Sequence, residues 1–360
     1  MSQDLVFLDS EIIDRHLVQR GWTLTDFSNR MDGRVSSVKA SGNYKSLQRI
    51  RQRRGVQRHI AYRIAATLET NVMLLLAPWD RLYTAPIHDG EESEWKHEAY
   101  LERGRLVSNG LFYICCRKHH RFDPQRLARC KCYFLNHLRP SDRDTLIHAL
   151  SRHAIVAARV GQHPNVASNL SSHMSQSRET WWVTDAWVGE KTLGDICVPG
   201  GPSLTVQQQV RVLLHVARGI EAVHSAGIVV REFSLSSVLL TDDLSRAVVT
   251  DFELAKLPAG GPSVSGSWPE TRYRAPEIDG KDALPSADVY SFAVVALATL
   301  NQGLPRAGQE AECVNSLAVP RPLKNLLIQG LIPSPQLRLQ SISPFIPVLE
   351  RWEGDVNVGR

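Results

Sequence analysis

Long apolar runs are missing from this chain of 360 residues. The longest, Val72 to Pro78 and Phe292 to Leu300, are too short to cross a bilayer, which argues against a membrane-spanning protein. The first residues, MSQDLVFLDSEI, carry acids where a secretory signal would carry positive charge. The ordinary apolar and charged fractions, 43% and 22%, predict a globular protein of the cytoplasm with room for two domains.

Cysteine is also scarce, since six residues in this length are too few for a disulfide scaffold. Two cysteine pairs lie near each other with two histidines between them: Cys115, Cys116, His119, His120, Cys130 and Cys132. Thiolates and imidazoles suit zinc, but the spacing departs from the C-x2-4-C pattern of structural zinc sites. The sequence favours alternation along two strands of one hairpin, with a zinc site as the alternative.

Acids are nearly absent between Arg30 and Arg63, where Asp32 stands alone. The same stretch is rich in basic residues: Arg30, Arg34, Lys39, Lys45, Arg49, Arg51, Arg53, Arg54, Arg58 and Arg63. Local positive charge of this kind is typical of proteins with a polyanionic partner. A solvated basic surface is the alternative.

Residues 1–78 have the periodicity of short amphipathic helices. Ser10 is the predicted cap of a first helix that ends before Gly21, and Thr23 with Asp26 forms a capping box at the second. A third helix is predicted at Tyr44 to Arg53. The predicted buried faces are Ile12, Ile13 and Leu17; Leu24, Phe27 and Met31; Leu47 and Ile50; and Ile60, Ile64 and Leu68.

The order of these helices resembles the helix-turn-helix domain of the phage-repressor type, which makes a bacterial or phage setting the expected one. GWTLTDFSNRM resembles its first motif helix, and HIAYRIAATLETNVMLLL resembles its last two helices. The resemblance implies DNA as a partner, a homodimer, and four DNA-contacting residues: Tyr44, Lys45, Gln48 and Arg49. The segment Asp32 to Gly42 is longer than the usual turn of that family. A helical bundle that serves dimerisation or protein contact is the alternative.

A linker composition follows at residues 79–98, and the pattern then changes. Predicted strands and one helix come first: Leu111 to Cys116, Ala128 to Leu135, Leu146 to Val160 (helix) and Trp181 to Val188. Helices dominate afterwards: Val206 to Ala226, Ser286 to Leu300 and Leu323 to Leu331. The predicted fold is multidomain, with an all-α domain followed by an α+β domain of two lobes, residues 99–188 and 189–352.

Five motifs of the second domain resemble those of protein kinases, in the family's order: GQHPNVA, HSAGIVVREFSLSSVLL, VVTDFELAKL, YRAPEI and SADVYSFAVV. The segment ARCKCYF supplies a candidate for the strand lysine, Lys131. Residues 99–352 are therefore identified as a relative of the eukaryotic-type Ser/Thr protein kinases. The resemblance implies ATP and Mg²⁺ as cofactors, Lys131 on the phosphates and Asp251 on the metal.

Several positions depart from the chemistry of that family. The helix residue expected to be a glutamate paired with Lys131 is His153, and the catalytic-loop aspartate is Glu232. The second metal ligand is Ser237, and Glu253 stands at the glycine of D-F-G. Of the glycine-rich loop only Gly104 and Gly110 remain, and Arg129 takes the place of the small residue beside adenine. The resemblance assigns catalysis to Lys131, Glu232 and Asp251, and cofactor contacts to Lys131, Gly110, Ser237 and Asp251.

The supporting residues of the large lobe match the family better. Phe252 and Val230 are expected in its apolar spine, and Asp288 is expected to hold the backbone of the catalytic loop. Glu277 and Arg338 match a buried ion pair.

Three functions are compatible with these observations. The favoured one is a DNA-binding regulator whose second domain is a pseudokinase that serves as a nucleotide sensor or protein-binding platform. The second is an atypical active Ser/Thr kinase that uses Lys131, Glu232 and Asp251. The third is a non-catalytic interaction protein, such as an antitoxin-like partner.

Overall fold

The structure is a computed structural model that describes residues 5–31, 43–52, 54–70, 72–76, 94–106, 112–135, 140–175, 180–198, 202–231, 233–253, 255, 257, 272–279 and 283–358. The chain divides into two compact units. The first contains Met1–Arg143 and His173–Trp182, and the second contains Asp144–Ser172 and Val183–Arg360. No helix within the described ranges is both long enough and apolar enough to cross a membrane.

The first unit begins with short helices: α1 (Ser10–Arg20), α2 (Leu24–Arg30), α3 (Tyr44–Arg51), α4 (Arg58–Thr67) and α5 (Val72–Leu75). The prediction that this region is all helix is wrong in one respect, because β1 (Leu5–Val6) pairs antiparallel with β2 (Val56–Gln57). The helices share one core at the predicted spacing: Ile13, Leu17, Phe27, Met31, Leu47, Ile50, Ile64 and Leu68 are buried there.

Local sequence explains where the first two helices begin and end. Thr23 and Asp26 exchange hydrogen bonds of 3.1 and 2.9 Å, which confirms the predicted capping box of α2. Gly21 ends α1 in the left-handed conformation, with φ 63°. The predicted cap of α1, Ser10, is wrong by one position. Asp9 Oδ1 accepts the Glu11 amide at 2.9 Å, so the carboxylate of the preceding residue does the capping.

Three antiparallel strands complete the main part of this unit: β3 (Trp95–Leu106), β4 (Phe112–His120) and β5 (Asp123–Phe134). The predicted linker, residues 79–98, therefore extends too far, since β3 begins at Trp95. The earlier part of that predicted linker lies largely outside the described residues. The hairpin interpretation of the cysteines is confirmed, because Cys116 lies opposite Cys130 and Cys115 lies opposite Lys131. A hydrogen bond with Cys130, together with burial, raises the pKa of the Cys116 thiol.

Strands and helices that follow β5 include α6 (Pro140–Leu150), α7 (Arg152–Val160), β6 (Asn169–Met174) and β7 (Thr180–Ala186). The strand order in the sheet is β3-β4-β5-β7-β6, and the two units divide β6 and β7 between them. The single helix predicted over Leu146 to Val160 is wrong, because the segment forms two helices, α6 and α7, that are divided at Ser151. The Ser151 hydroxyl donates to the His148 carbonyl at 2.9 Å.

The second unit is mainly helical: α8 (Leu193–Ile196), α9 (Val206–Ser225), β8 (Val238–Leu240), β9 (Ala247–Val249), α10 (Pro285–Leu300), α11 (Glu310–Ser316), α12 (Arg321–Gly330) and α13 (Phe345–Val358). Helix α10 is apolar on nearly all sides, as expected for a helix at the centre of a domain. Its Phe292 packs edge-on against Phe345 of α13, with ring centroids 4.9 Å apart. These helices form the core on which the candidate site rests.

Candidate active site

The loop that follows α9 is held by a fully buried carboxylate on α10. Asp288 Oδ2 accepts the Val230 amide at 2.7 Å, and Oδ1 accepts the Arg231 amide at 2.8 Å. His224 Nε2 lies 2.8 Å from Oδ2. The backbone of Arg231 has φ 71°, a conformation that persists in a non-glycine residue only when its surroundings enforce it. The role predicted for Asp288 is therefore confirmed.

A short hairpin places two predicted metal ligands at the same end of β8 and β9. Ser237 precedes β8, Asp251 follows β9 by two residues, and Val238 pairs with Val249. The Thr250 amide donates to the Ser237 carbonyl at 2.9 Å. Asp251 also has a positive φ, 69°, so its backbone is held in the same uncommon region as that of Arg231.

His153 occupies the position on α7 where the resemblance requires a glutamate. Its Nε2 lies 3.0 Å from Asp185 Oδ1, and its Nδ1 accepts the Phe252 amide at 3.4 Å. Glu253 Oε1 lies 3.8 Å from the same Nδ1. Because Nδ1 accepts a hydrogen bond from the Phe252 amide, Nε2 is the nitrogen that carries hydrogen and donates to Asp185. Both ring nitrogens are therefore engaged within the second unit.

Sequence reasoning missed Asp185 as the partner of His153. Asp185 lies on β7, 32 positions further along the chain than His153. Asn169 on β6 donates to the same Asp185 Oδ1 at 2.9 Å. The signal in the sequence was the acid in TWWVTDA, an ionisable residue in a strand whose neighbours are mostly apolar. An acid there indicates a buried polar partner, because unpaired burial of a carboxylate is costly.

Arg152 joins α7 to the segment that follows Asp251. Its guanidinium donates to the Ala255 carbonyl at 3.3 Å. Burial lowers the pKa of Arg152, and the charge of Arg231 lowers it further. Phe252 is fully buried, as predicted, and its ring centroid lies 5.6 Å from that of His153. Two successive residues of α7, Arg152 and His153, thus contact residues that follow Asp251.

Lys131 and Arg129 both lie on β5 in the first unit and are buried. Because side chains alternate along a strand, these two residues share a face. The Lys131 ammonium lies 5.1 Å from the centre of the Tyr113 ring, within the range of a cation–π contact. The alignment of Lys131 with the strand lysine, and of Arg129 two residues before it, stays a prediction.

Two predicted site residues, Glu232 and Gly110, lie outside the described residues. Ser237 is buried, and its hydroxyl accepts the Ser234 amide at 3.4 Å. The predicted ion pair of the large lobe is confirmed, since Arg338 donates to both carboxylate oxygens of Glu277 at 2.6 and 3.0 Å.

The helix predicted to contact DNA, α3, has an exposed polar face. Lys45, Gln48 and Arg49 are exposed, Tyr44 is half-buried, and Leu47 and Ile50 are buried beneath them. Arg49 donates to the Gly55 carbonyl at 3.2 Å through its Nη2. The helix ends at Arg51, two residues before the predicted end.

Known proteins resemble this chain over its second part. The family model described as protein kinase domain matches residues 119–329, more than half of the chain. Serine/threonine-protein kinase PknA of Mycobacterium tuberculosis is 28% identical over 200 residues, 51% of this chain and 46% of that protein. Serine/threonine/tyrosine-protein kinase HT1 of Arabidopsis thaliana is 33% identical over 107 residues, 29% and 27%. Probable serine/threonine-protein kinase CPE1738 of Clostridium perfringens is 24% identical over 263 residues, 68% and 36%. The chain spans less than half the length of these curated relatives.

Proposed function

We propose that the kinase domain of this chain, which belongs to the protein kinase family, keeps the scaffold of the family but does not transfer phosphate. The observation that carries the proposal is the hydrogen bonding of His153. Transfer requires an ion pair between the strand lysine and a helix glutamate, which positions the lysine on the phosphates. Here the helix position has an imidazole whose two nitrogens are engaged by Asp185 and the Phe252 amide. In this proposal the domain therefore acts by binding a nucleotide or a protein partner, and not by catalysis.

The residues that remain suit a nucleotide with Mg²⁺ only in part. Asp251 supplies a carboxylate, the oxygen ligand that Mg²⁺ prefers, and Ser237 supplies a hydroxyl that already accepts an amide. Lys131 supplies the cation that would contact the phosphates. When bound, Mg²⁺ would supply charge neutralisation of the phosphates. In our proposal these residues let the domain sense a nucleotide or present a nucleotide-dependent surface to a protein partner.

The first test is transfer of the γ-phosphate from labelled ATP in the presence of Mg²⁺ or Mn²⁺. We expect the full chain and the Asp251→Ala variant to give the same background signal. PknA of Mycobacterium tuberculosis, assayed in parallel, controls for the competence of the assay. A signal from the full chain that disappears in Asp251→Ala would overturn the proposal and establish an atypical kinase that uses Lys131, Glu232 and Asp251.

The helical part of the first unit is the proposed DNA-binding element. The support comes from α3, where Lys45, Gln48 and Arg49 are exposed on one side while Leu47 and Ile50 anchor the other. A helix with this division presents cationic and amide donors that suit phosphates and base edges. A second copy of the chain is the partner proposed for two half-sites, by analogy with dimeric helix-turn-helix proteins.

DNA binding is tested by titrating a labelled duplex at several salt concentrations. We expect Lys45→Ala to weaken binding and to reduce the slope of log affinity against log salt by about one, the effect of losing one phosphate contact. Arg321→Ala, which removes an exposed charge from the second unit, is the matched control and should leave the slope unchanged. Absence of affinity for DNA at low salt would exclude this element of the proposal and favour a protein partner instead.

A further inference from the structure

The hairpin of β4 and β5 contributes one of its faces to the core of the helical segment, residues 5–76. Ile114 of β4 is buried in that core, and Tyr100 and Phe134 of the neighbouring strands pack against it. Ile114 lies opposite Cys132 of β5. The α-helical and β-stranded parts of the first unit therefore share one set of apolar contacts.

The shared face of β5 is the face opposite to the one on which Lys131 lies, and we call it the reverse side of β5. Side chains alternate along β5, so Cys130, Cys132 and Phe134 point to one side and Lys131 to the other. Burial raises the pKa of Tyr62 on α4, and the Cys132 thiol lies near enough to raise it further. Tyr62 belongs to the same core as Ile114, the residue that lies opposite Cys132.

We infer that the helical segment is the structural support of the strand that carries Lys131, and that the two open and close as one cooperative unit. A close-packed apolar core is hard to deform, so the elements that share it open together as one cooperative unit. A ligand that stabilises the helical segment therefore also stabilises the placement of Lys131, and the effect is reciprocal. This inference holds whether the ligand is DNA or a protein, so it does not depend on the proposed function.

Four buried cysteines make the inference directly measurable. Cys115, Cys116, Cys130 and Cys132 lie in the hairpin, whereas Cys197 is buried in the second unit. Burial raises the pKa of Cys197 to about 11. Thiols of this kind react with a labelling reagent only when their surroundings open. The rate of labelling at each cysteine, read by mass spectrometry of the full chain, therefore reports opening of the hairpin, with Cys197 as the reference.

The test variant is Phe27→Ala, which removes a fully buried ring from the helical core. We expect the four hairpin cysteines to be labelled about a hundredfold faster while the rate at Cys197 is unchanged, because loss of a core ring strongly favours opening. Val18→Ala is the matched control: Val18 is 80% exposed on the neighbouring α1, and its loss should change none of the rates.

A milder variant covers the case in which Phe27→Ala unfolds the whole chain. Ile64→Val removes one methyl group from the same core, and we expect about fivefold faster labelling of the hairpin cysteines. Hydrogen exchange of α4 confirms in the same sample that the helical segment has been destabilised. Faster exchange in α4 with unchanged labelling of the hairpin would overturn the inference and indicate a helical segment that opens independently.

Discussion

Replacing Asp288 with alanine should lower the free energy of unfolding of the second unit by about 4 kcal/mol, since two buried amides lose their acceptor at about 1–3 kcal/mol each. The Asp288 carboxylate is fully buried and accepts the amides of Val230 and Arg231 at 2.7 and 2.8 Å. It also supports the positive φ of Arg231. Without this carboxylate, the loop after α9 loses the two hydrogen bonds that hold this backbone conformation.

The loss is measured by urea-dependent hydrogen exchange of peptides from α9 and α10. Asp242→Ala is the matched control, because Asp242 is an exposed aspartate of the same unit. We expect the control to stay within about 0.5 kcal/mol of the wild type, as surface substitutions usually do. A loss below about 1 kcal/mol for Asp288→Ala would contradict the argument and mean that water replaces the carboxylate.

The residues that sequence predicted best are those that lie in recognisable motifs of the protein kinase family. Asp288, Glu277 and Arg338 were placed by motifs, and their observed contacts match the roles assigned to them. The partners of these residues lie 57 and 61 positions away along the chain, so the family motifs and not local periodicity predicted the contacts. The helices of the first unit were found for a different reason, because a period of 3.6 residues reports burial directly.

The elements that sequence reasoning missed depend on long-range pairing. Strands β3 and β6 are formed by segments with charged or polar residues, WKHEAYLERGRL and NLSSHM, which lack a clear alternating pattern. Their conformation comes from neighbouring strands, since β propensity depends strongly on context. The His153–Asp185 pair escaped because Asp185 lies in none of the motifs that carry the resemblance, and no local period connects it with His153.

His153 offers a sharp distinction between a position that has lost its function and one that has acquired another. If α7 had merely lost its glutamate, restoring the family's residue would be tolerated and would bring the domain closer to activity. The structure gives a different expectation. His153 is almost fully buried, with Asp185 Oδ1 at 3.0 Å and Glu253 Oε1 at 3.8 Å. A carboxylate introduced there would meet two others in a poorly hydrated site, and like charges at such distances repel one another.

We therefore expect His153→Glu to lower the free energy of unfolding of the second unit by about 3–5 kcal/mol, the cost of an uncompensated buried charge, without any gain of phosphate transfer. His153→Gln is the matched control: its neutral amide still donates to Asp185, so the loss should be no more than about 2 kcal/mol, that of an imperfect hydrogen bond. Hydrogen exchange of α7 and β7 measures both losses, and labelled ATP measures transfer.

A His153→Glu variant as stable as the wild type would show that Asp185 and Glu253 do not depend on the imidazole. Transfer gained by that variant would further show that the missing glutamate alone separates this domain from an active kinase, and the proposal of a binding function would then have to be abandoned.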